Sequence, residues 1–154
     1  MLKEDNKFLF AIVAGLLGAL ARDAYSIITK LSGVSKNLIW EMGADIFVGK
    51  KEIYTIAGYV LGALSDCVMG GLIGVGFGVL IEIFGPKHYL IKGVGTGLVI
   101  WLLSYGFFIH VFPQPFQLIP KEALNYISSF VAHGIFGGVM GFAYIKLAKI
   151  KVSD

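Results

Sequence analysis

Four stretches of this chain are each long and apolar enough to cross a lipid bilayer: about Phe8 to Ile28, Tyr54 to Phe84, Tyr89 to Phe112 and Ala123 to Leu147. Roughly 20 helical residues span the ~30 Å hydrocarbon layer. In lipid a backbone must satisfy its own hydrogen bonds, so each stretch is expected to be a helix. The 154 residues are 56% hydrophobic and 15% charged, against about 25% charged in a soluble domain. A soluble fold of this size could not hide so much apolar surface. The expected architecture is all-α: a polytopic membrane helical bundle of four transmembrane helices plus one interfacial amphipathic helix, in a single membrane domain over 1–154.

The connections fit this division. Gly85-Pro86-Lys87-His88 reads as a tight turn between the second and third spans. Pro113, Pro115 and Pro120 fill the next link, with Pro120 suited to a first helical position ahead of Lys121. The second stretch exceeds one perpendicular crossing, so it should tilt, protrude or bend, with Gly70-Gly71 as the bend point. The first link is longer. Its segment Leu38–Phe47 places Leu38, Ile39, Met42 and Ile46 on one helical face and Glu41 and Asp45 on another. Too short to span, it is expected to lie at the interface, anchored by Trp40, with a solvated acidic face.

Lys3 and Lys7 precede the first apolar run, and Ala19-Leu20-Ala21 resembles a signal-peptidase site. Acidic Glu4 and Asp5 among those lysines, and the return of apolar residues after Arg22-Asp23, favour a retained helix. Lys3, Lys7, Lys87, Lys92, Lys146, Lys149 and Lys151 fall on the side of the termini, and Lys30, Lys36, Lys50, Lys51 and Lys121 on the other. This bias favours cytoplasmic termini for a multi-pass protein of the cell membrane. The net charge is only +3, with no basic run interleaved with aromatics. Membrane lipid is therefore an expected partner and nucleic acid is not.

The second and fourth stretches share a pattern. Asp66-Cys-Val-Met-Gly-Gly-Leu-Ile-Gly74 aligns with His133-Gly-Ile-Phe-Gly-Gly-Val-Met-Gly141, and Gly15-Leu16-Leu17 can be set less closely against Gly97-Leu98-Val99. Duplicated hairpins, 8–84 and 89–147, would explain both, and parallel repeats of this kind place polar sites between the halves. Glycine ladders run at i+4 spacing through Gly58, Gly62, Gly70, Gly74 and Gly78, with Asp66 on the missing rung, and through Gly137 and Gly141 above His133. Small residues at this spacing let helix backbones approach closely in lipid, so helix packing is their expected role.

The ionisable residues within the spans are few. At 1.5 Å per residue, Asp23 lies roughly 8 Å, Tyr105 roughly 10 Å, His133 roughly 15 Å and Asp66 roughly 18 Å from the helix ends away from the termini. With Arg22 and Ser104 they could form one intramembrane polar cluster. A charge at this depth costs roughly 2.5–3.5 kcal/mol and persists when it has a partner or a function. The plain expectation is an ion pair of Arg22 with Asp66 or Asp23, and His133 hydrogen-bonded to Tyr105 or a serine. The alternative is a proton- or cation-binding site built on Asp23, Asp66 and His133, whose side chains titrate.

No cofactor is expected. Haem would need two histidines at equal depth, and His110 and His133 are not so placed. Neither HExxH nor GxSxG occurs, and the single Cys67 excludes an internal disulfide. An enzyme is the least favoured class.

Asp23 late in the first helix, Phe47-Val48-Gly49-Lys50, Trp101, the proline link through Pro113 and Pro120, and His133-Gly-Ile-Phe-Gly137 carry a resemblance. The chain resembles a group of small four-helix membrane proteins, common in spore-forming and anaerobic bacteria, for which no activity is assigned. The resemblance implies a bacterial plasma membrane protein. Members of the group tend to carry histidine where this chain has Asp66, so a histidine pair is not carried over.

Two functional readings follow. The glycine excess favours a self-associating helix-packing or assembly module, a homo-oligomer or a partner of another membrane protein. The alternative is a small channel or transporter for a proton, cation or small solute using the polar cluster.

Overall fold

The computed structural model describes residues 4–111 and 122–150. All regular structure among these residues is helical, with no strand. Helix α1 spans Glu4–Leu31, α2 Ile39–Asp45, α3 Ile56–Phe84, α4 Tyr89–Trp101 and α6 Ala123–Leu147. A π-helical segment, Leu102–Phe108, continues α4 and ends in the single turn α5, Ile109–Val111. Among the described residues four segments are long and apolar enough to cross a membrane: Asn6–Leu31, Ile56–Phe84, Tyr89–Phe108 and Ala123–Leu147. Leu20, Ile28, Ile56, Leu72, Ile83, Ile91 and Ile127 are exposed on these helices, an extended apolar surface suited to hydrocarbon. The prolines at 113, 115 and 120, and Lys3, Phe112, Lys121 and Lys151, lie outside the described residues.

The spans are arranged α3–α1–α6–α4. Helix α1 packs against both α3 and α6, and α4 packs against α6, whereas α3 barely touches α4. Glycine makes the tight approaches possible. A Cβ on Gly15 would stand 2.0 Å from the Gly70 carbonyl oxygen, and one on Gly74 2.1 Å from that of Ala11. In the other pair, a Cβ on Gly93 would stand 2.3 Å from the Gly137 oxygen, and one on Gly137 2.0 Å from the Gly93 oxygen. Close backbone approach is the main attraction between helices where lipid is as apolar as the side chains.

Helix α3 runs unbroken through Gly70-Gly71, and Gly70 lies against Ala19 and Gly15 of α1. Thr55 caps its start, accepting from the Gly58 N–H at 3.1 Å. Gly85, at φ 72°, ends it, and the Lys92 ammonium donates to the carbonyls of Phe84 and Gly85 at 2.8 Å each. Such a lysine satisfies carbonyls that the helix end leaves open. Glu82, near the end of the same helix, meets Lys7 of α1 at 3.3 Å.

On the side of the termini, the gap between α3 and α4 is closed by Phe77, which sits edge-on to Tyr144 with ring centroids 6.0 Å apart. Phe77, Phe136, Met140 and Tyr144 are wholly buried and form the apolar floor of the bundle. On the far side the gap is filled by α2, and here one expectation is corrected. The extra helix exists, but its acidic face is not solvated. Glu41 is 0% exposed, ion-paired with Lys30, and accepts from Tyr59 Oη at 3.2 Å and from the Leu38 N–H at 2.9 Å. The last bond is the reaching-back half of a capping box.

The physical reason is again glycine. A Cβ on Gly62 would stand 1.9 Å from the Trp40 carbonyl oxygen, and one on Gly43 3.1 Å from that of Gly62. Two helices without side chains at their contact let α2 sink. Gly62 is six residues inside α3, about 9 Å below its end. Non-helical backbone at this depth is tolerated because it is buried in protein.

Candidate functional site

Asp66 lies ten residues inside α3 and His133 ten residues inside α6, each about 15 Å along its helix, a distance that is half the ~30 Å hydrocarbon thickness. Asp23 lies eight residues inside the end of α1, about 12 Å deep. Because α1 stands between α3 and α6, these residues converge. The Arg22 guanidinium is ion-paired through Nη2 with Asp66 Oδ1, and the same nitrogen lies 3.6 Å from Asp23 Oδ1. The Trp40 indole Nε1 donates to Asp23 Oδ2 at 2.9 Å, so α2 completes the cluster from above. Arg22 also lies over the Phe136 ring, 5.3 Å from its centroid, a cation–π contact that offsets part of its desolvation. Arg22, Asp23 and Asp66 are all buried, Asp66 being only 8% exposed.

Hydrogen bonding is incomplete. Arg22 Nε, Asp23 Oδ1 and Asp66 Oδ2 are buried with no hydrogen-bond partner. Buried polar groups are nearly always satisfied, so such orphans mark a water, an ion or a functional demand.

A second group adjoins the first. His133 Nδ1 lies 2.8 Å from the Ser129 carbonyl oxygen; that contact requires the proton on Nδ1 and leaves Nε2 as the acceptor of the neutral ring. Tyr105 meets the His133 ring edge-on at 5.9 Å, stacks on Trp101 at 6.2 Å, and meets Tyr126 at 5.8 Å. Its hydroxyl donates to Met42 Sδ of α2 at 3.5 Å. Tyr105 occupies the π-helical segment, a distortion that re-aims side chains and recurs at functional sites. Ser104 joins Tyr105 and His133 in lining a cavity beneath Met42 and Gly43.

Above the cluster, away from the termini, opens a cleft of about 20 Å³ bounded by Tyr25, Ser26, Thr29, Asn125, Ser128 and Tyr105, among others. That is room for about one water molecule. Ser35 Oγ donates to Asn125 Oδ1 at 3.2 Å at the mouth, and an exposed Lys36–Glu122 ion pair stands beside it. No group of three or more His, Cys, Asp or Glu that could hold a metal occurs among the described residues.

The structure thus brings together Arg22, Asp23 and Asp66, and sets Ser104, Tyr105 and His133 beside them. Sequence reasoning missed Trp40 as the Asp23 donor, the Glu41–Lys30–Tyr59 group, the π-helical distortion and the hydroxyl- and amide-lined cleft. Gly43 within a short helix and Gly62 opposite it were the signal for the first two. Ser26 and Thr29, and Asn125 and Ser128, recur at i+3 and were the signal for the last.

Replacing Trp40 with phenylalanine removes one hydrogen bond to a buried carboxylate, a loss of about 1.5–3 kcal/mol. The expected result is a loosened α2, seen as faster amide hydrogen exchange over 38–48 while α6 keeps its protection.

No family model matches this chain, and neither a curated protein nor a solved structure does. What is established is a small all-α protein with four candidate membrane-spanning helices whose interior holds ion pairs and hydrogen bonds between buried charged and polar residues.

Proposed function

We propose that the protein is a small transporter or channel that moves a proton, cation or small polar solute through the Arg22–Asp23–Asp66–Tyr105–His133 region. The observation that carries this reading is the buried Arg22–Asp66 pair at mid-membrane depth, with orphaned polar atoms on both partners, under a polar cleft on one side and above an apolar floor on the other. A purely structural ion pair has no use for unsatisfied groups, each of which costs stability. A binding site does, because its ligand supplies the missing bonds.

The assembly reading is less well supported. The ladder glycines Gly58, Gly62, Gly70, Gly74, Gly78, Gly137 and Gly141 all meet atoms of their own chain, so these ladders do not call for a second copy.

Duplication of hairpins 8–84 and 89–147 fits the transport reading. Gly15 meets Gly70 and Gly74 just as Gly93 meets Gly137 and Gly141, and Ala11 and Ala19 correspond to Tyr89 and Gly97. This register pairs Gly15 with Gly93, one turn before the Gly97 suggested by sequence. It keeps Asp66 and His133 equivalent and sets Trp101 where the first half has Asp23.

The test is flux into proteoliposomes. Wild type should pass a proton, a monovalent cation or a small solute, and Asp66→Asn should lose at least nine-tenths of that flux. Absence of flux for every probe in wild type, or full flux in the variant, would reject the reading.

A further inference from the structure

We infer that the species bound at the midplane is a single proton shared by the Asp23 and Asp66 carboxyls, with Arg22 as their fixed countercharge, an inference that rests on the transport reading for its use. Charge counting comes first. Arg22 brings one positive charge and Asp23 and Asp66 two negative ones, so with His133 neutral the cluster carries one net negative charge. An uncompensated charge at this depth is strongly disfavoured, and one bound proton removes it.

The available oxygens decide between a proton and a metal cation. Asp66 Oδ1 is taken by Arg22 and Asp23 Oδ2 by Trp40. Only Asp66 Oδ2 and Asp23 Oδ1 remain without hydrogen-bond partners. Two oxygens beside a guanidinium fall far short of the roughly six to eight that hard divalent cations gather. They suit a proton, which needs one oxygen to bind and a second to accept its hydrogen bond.

The surrounding charged and titratable groups leave this count intact. Helix α1 presents Arg22 and Asp23. Helix α2 presents Glu41, already paired with Lys30 and bonded to Tyr59 of α3, and Asp45, which lies on the same helix. Helix α6 presents His133, held on Ser129, and the π-helical segment presents Tyr105. The step is proton binding alone: a carboxylate lone pair takes the proton on entry, the same O–H bond breaks on release, and no electron is exchanged.

Infrared difference spectroscopy and flux together test this. Membranes of the full chain at neutral pH should show one protonated-carboxyl band, shifted by deuterium exchange and absent from Asp23→Asn and from Asp66→Asn. Each of the two variants should retain native helicity and elution. Proteoliposomes loaded with a pH-sensitive dye should acidify under an inside-negative potential, at least tenfold faster for wild type than for either variant, with no sodium or potassium uptake. Uptake of sodium or potassium without acidification would overturn the proton while leaving transport standing. A protonated-carboxyl band without any flux would keep the proton and reject transport. No such band would overturn the inference outright.

Discussion

Asp66→Ala should lower the stability of the bundle by about 3 kcal/mol, because it strands the Arg22 guanidinium at the membrane midplane. Breaking one partner out of a buried pair costs about 3–5 kcal/mol. The lower end applies because Asp23 Oδ1, 3.6 Å from the same nitrogen, can take over. Removing both carboxylates in Asp23→Ala/Asp66→Ala should therefore move the loss to the upper end, about 5 kcal/mol. The contrasting variant is Arg22→Met/Asp66→Leu, which replaces the pair with apolar side chains of similar volume. Such swaps are often neutral or stabilising, so with Asp23 carrying the remaining proton this double variant should be more stable than Asp66→Ala in detergent while remaining inactive in flux. If the double variant were as unstable as Asp66→Ala, the pair would hold the fold together and its role in conduction would lose its main support.

Gly137→Leu should be more damaging still, preventing α4 from docking on α6. Its Cβ would fall 2.0 Å from the Gly93 oxygen, 2.7 Å from the Gly93 carbonyl carbon and 3.1 Å from the Gly97 nitrogen. All three are backbone atoms of a packed helix, so no rotamer change relieves the overlap. Loss of monodisperse elution and of cooperative thermal unfolding is the expected result. Gly95→Ala is the matched control, since a Cβ there meets nothing within 4 Å. It should leave both measurements unchanged, and an equal loss in the two variants would mean that close backbone approach is not what holds the hairpin.

The spans were legible because lipid leaves no competing solution. Ala123 to Leu147 and Tyr89 onward fall where the apolar runs place them, and the first helix is only longer at each end than Phe8 to Ile28. That Asp23 lies shallower than Asp66 and His133 could be read from the apolar runs, but the unequal depths they gave Asp66 and His133 could not stand, because the true helix starts put the two residues level. The fate of α2 was not. Its amphipathic pattern is equally satisfied by an interface or by a groove, and the choice turns on Gly62, nearly twenty residues further along the chain. The π-helical turn is similarly silent in Leu102–Phe108, since it answers to packing around Tyr105 rather than to any local preference.

The depth at which α2 rests orders the events of membrane insertion. A segment of seven helical residues cannot partition into the bilayer alone, and its resting place is the groove beside α3, where its side chains also bond Asp23 and Lys30 of α1. During synthesis the stretch between α1 and α3 must wait outside the hydrocarbon until α3 has been delivered beside α1. Only then can it fold back beneath the surface and bring Trp40 to Asp23. The last piece of the polar centre therefore arrives after its walls are standing, and nascent chains halted before α3 would hold Asp23 without its indole donor.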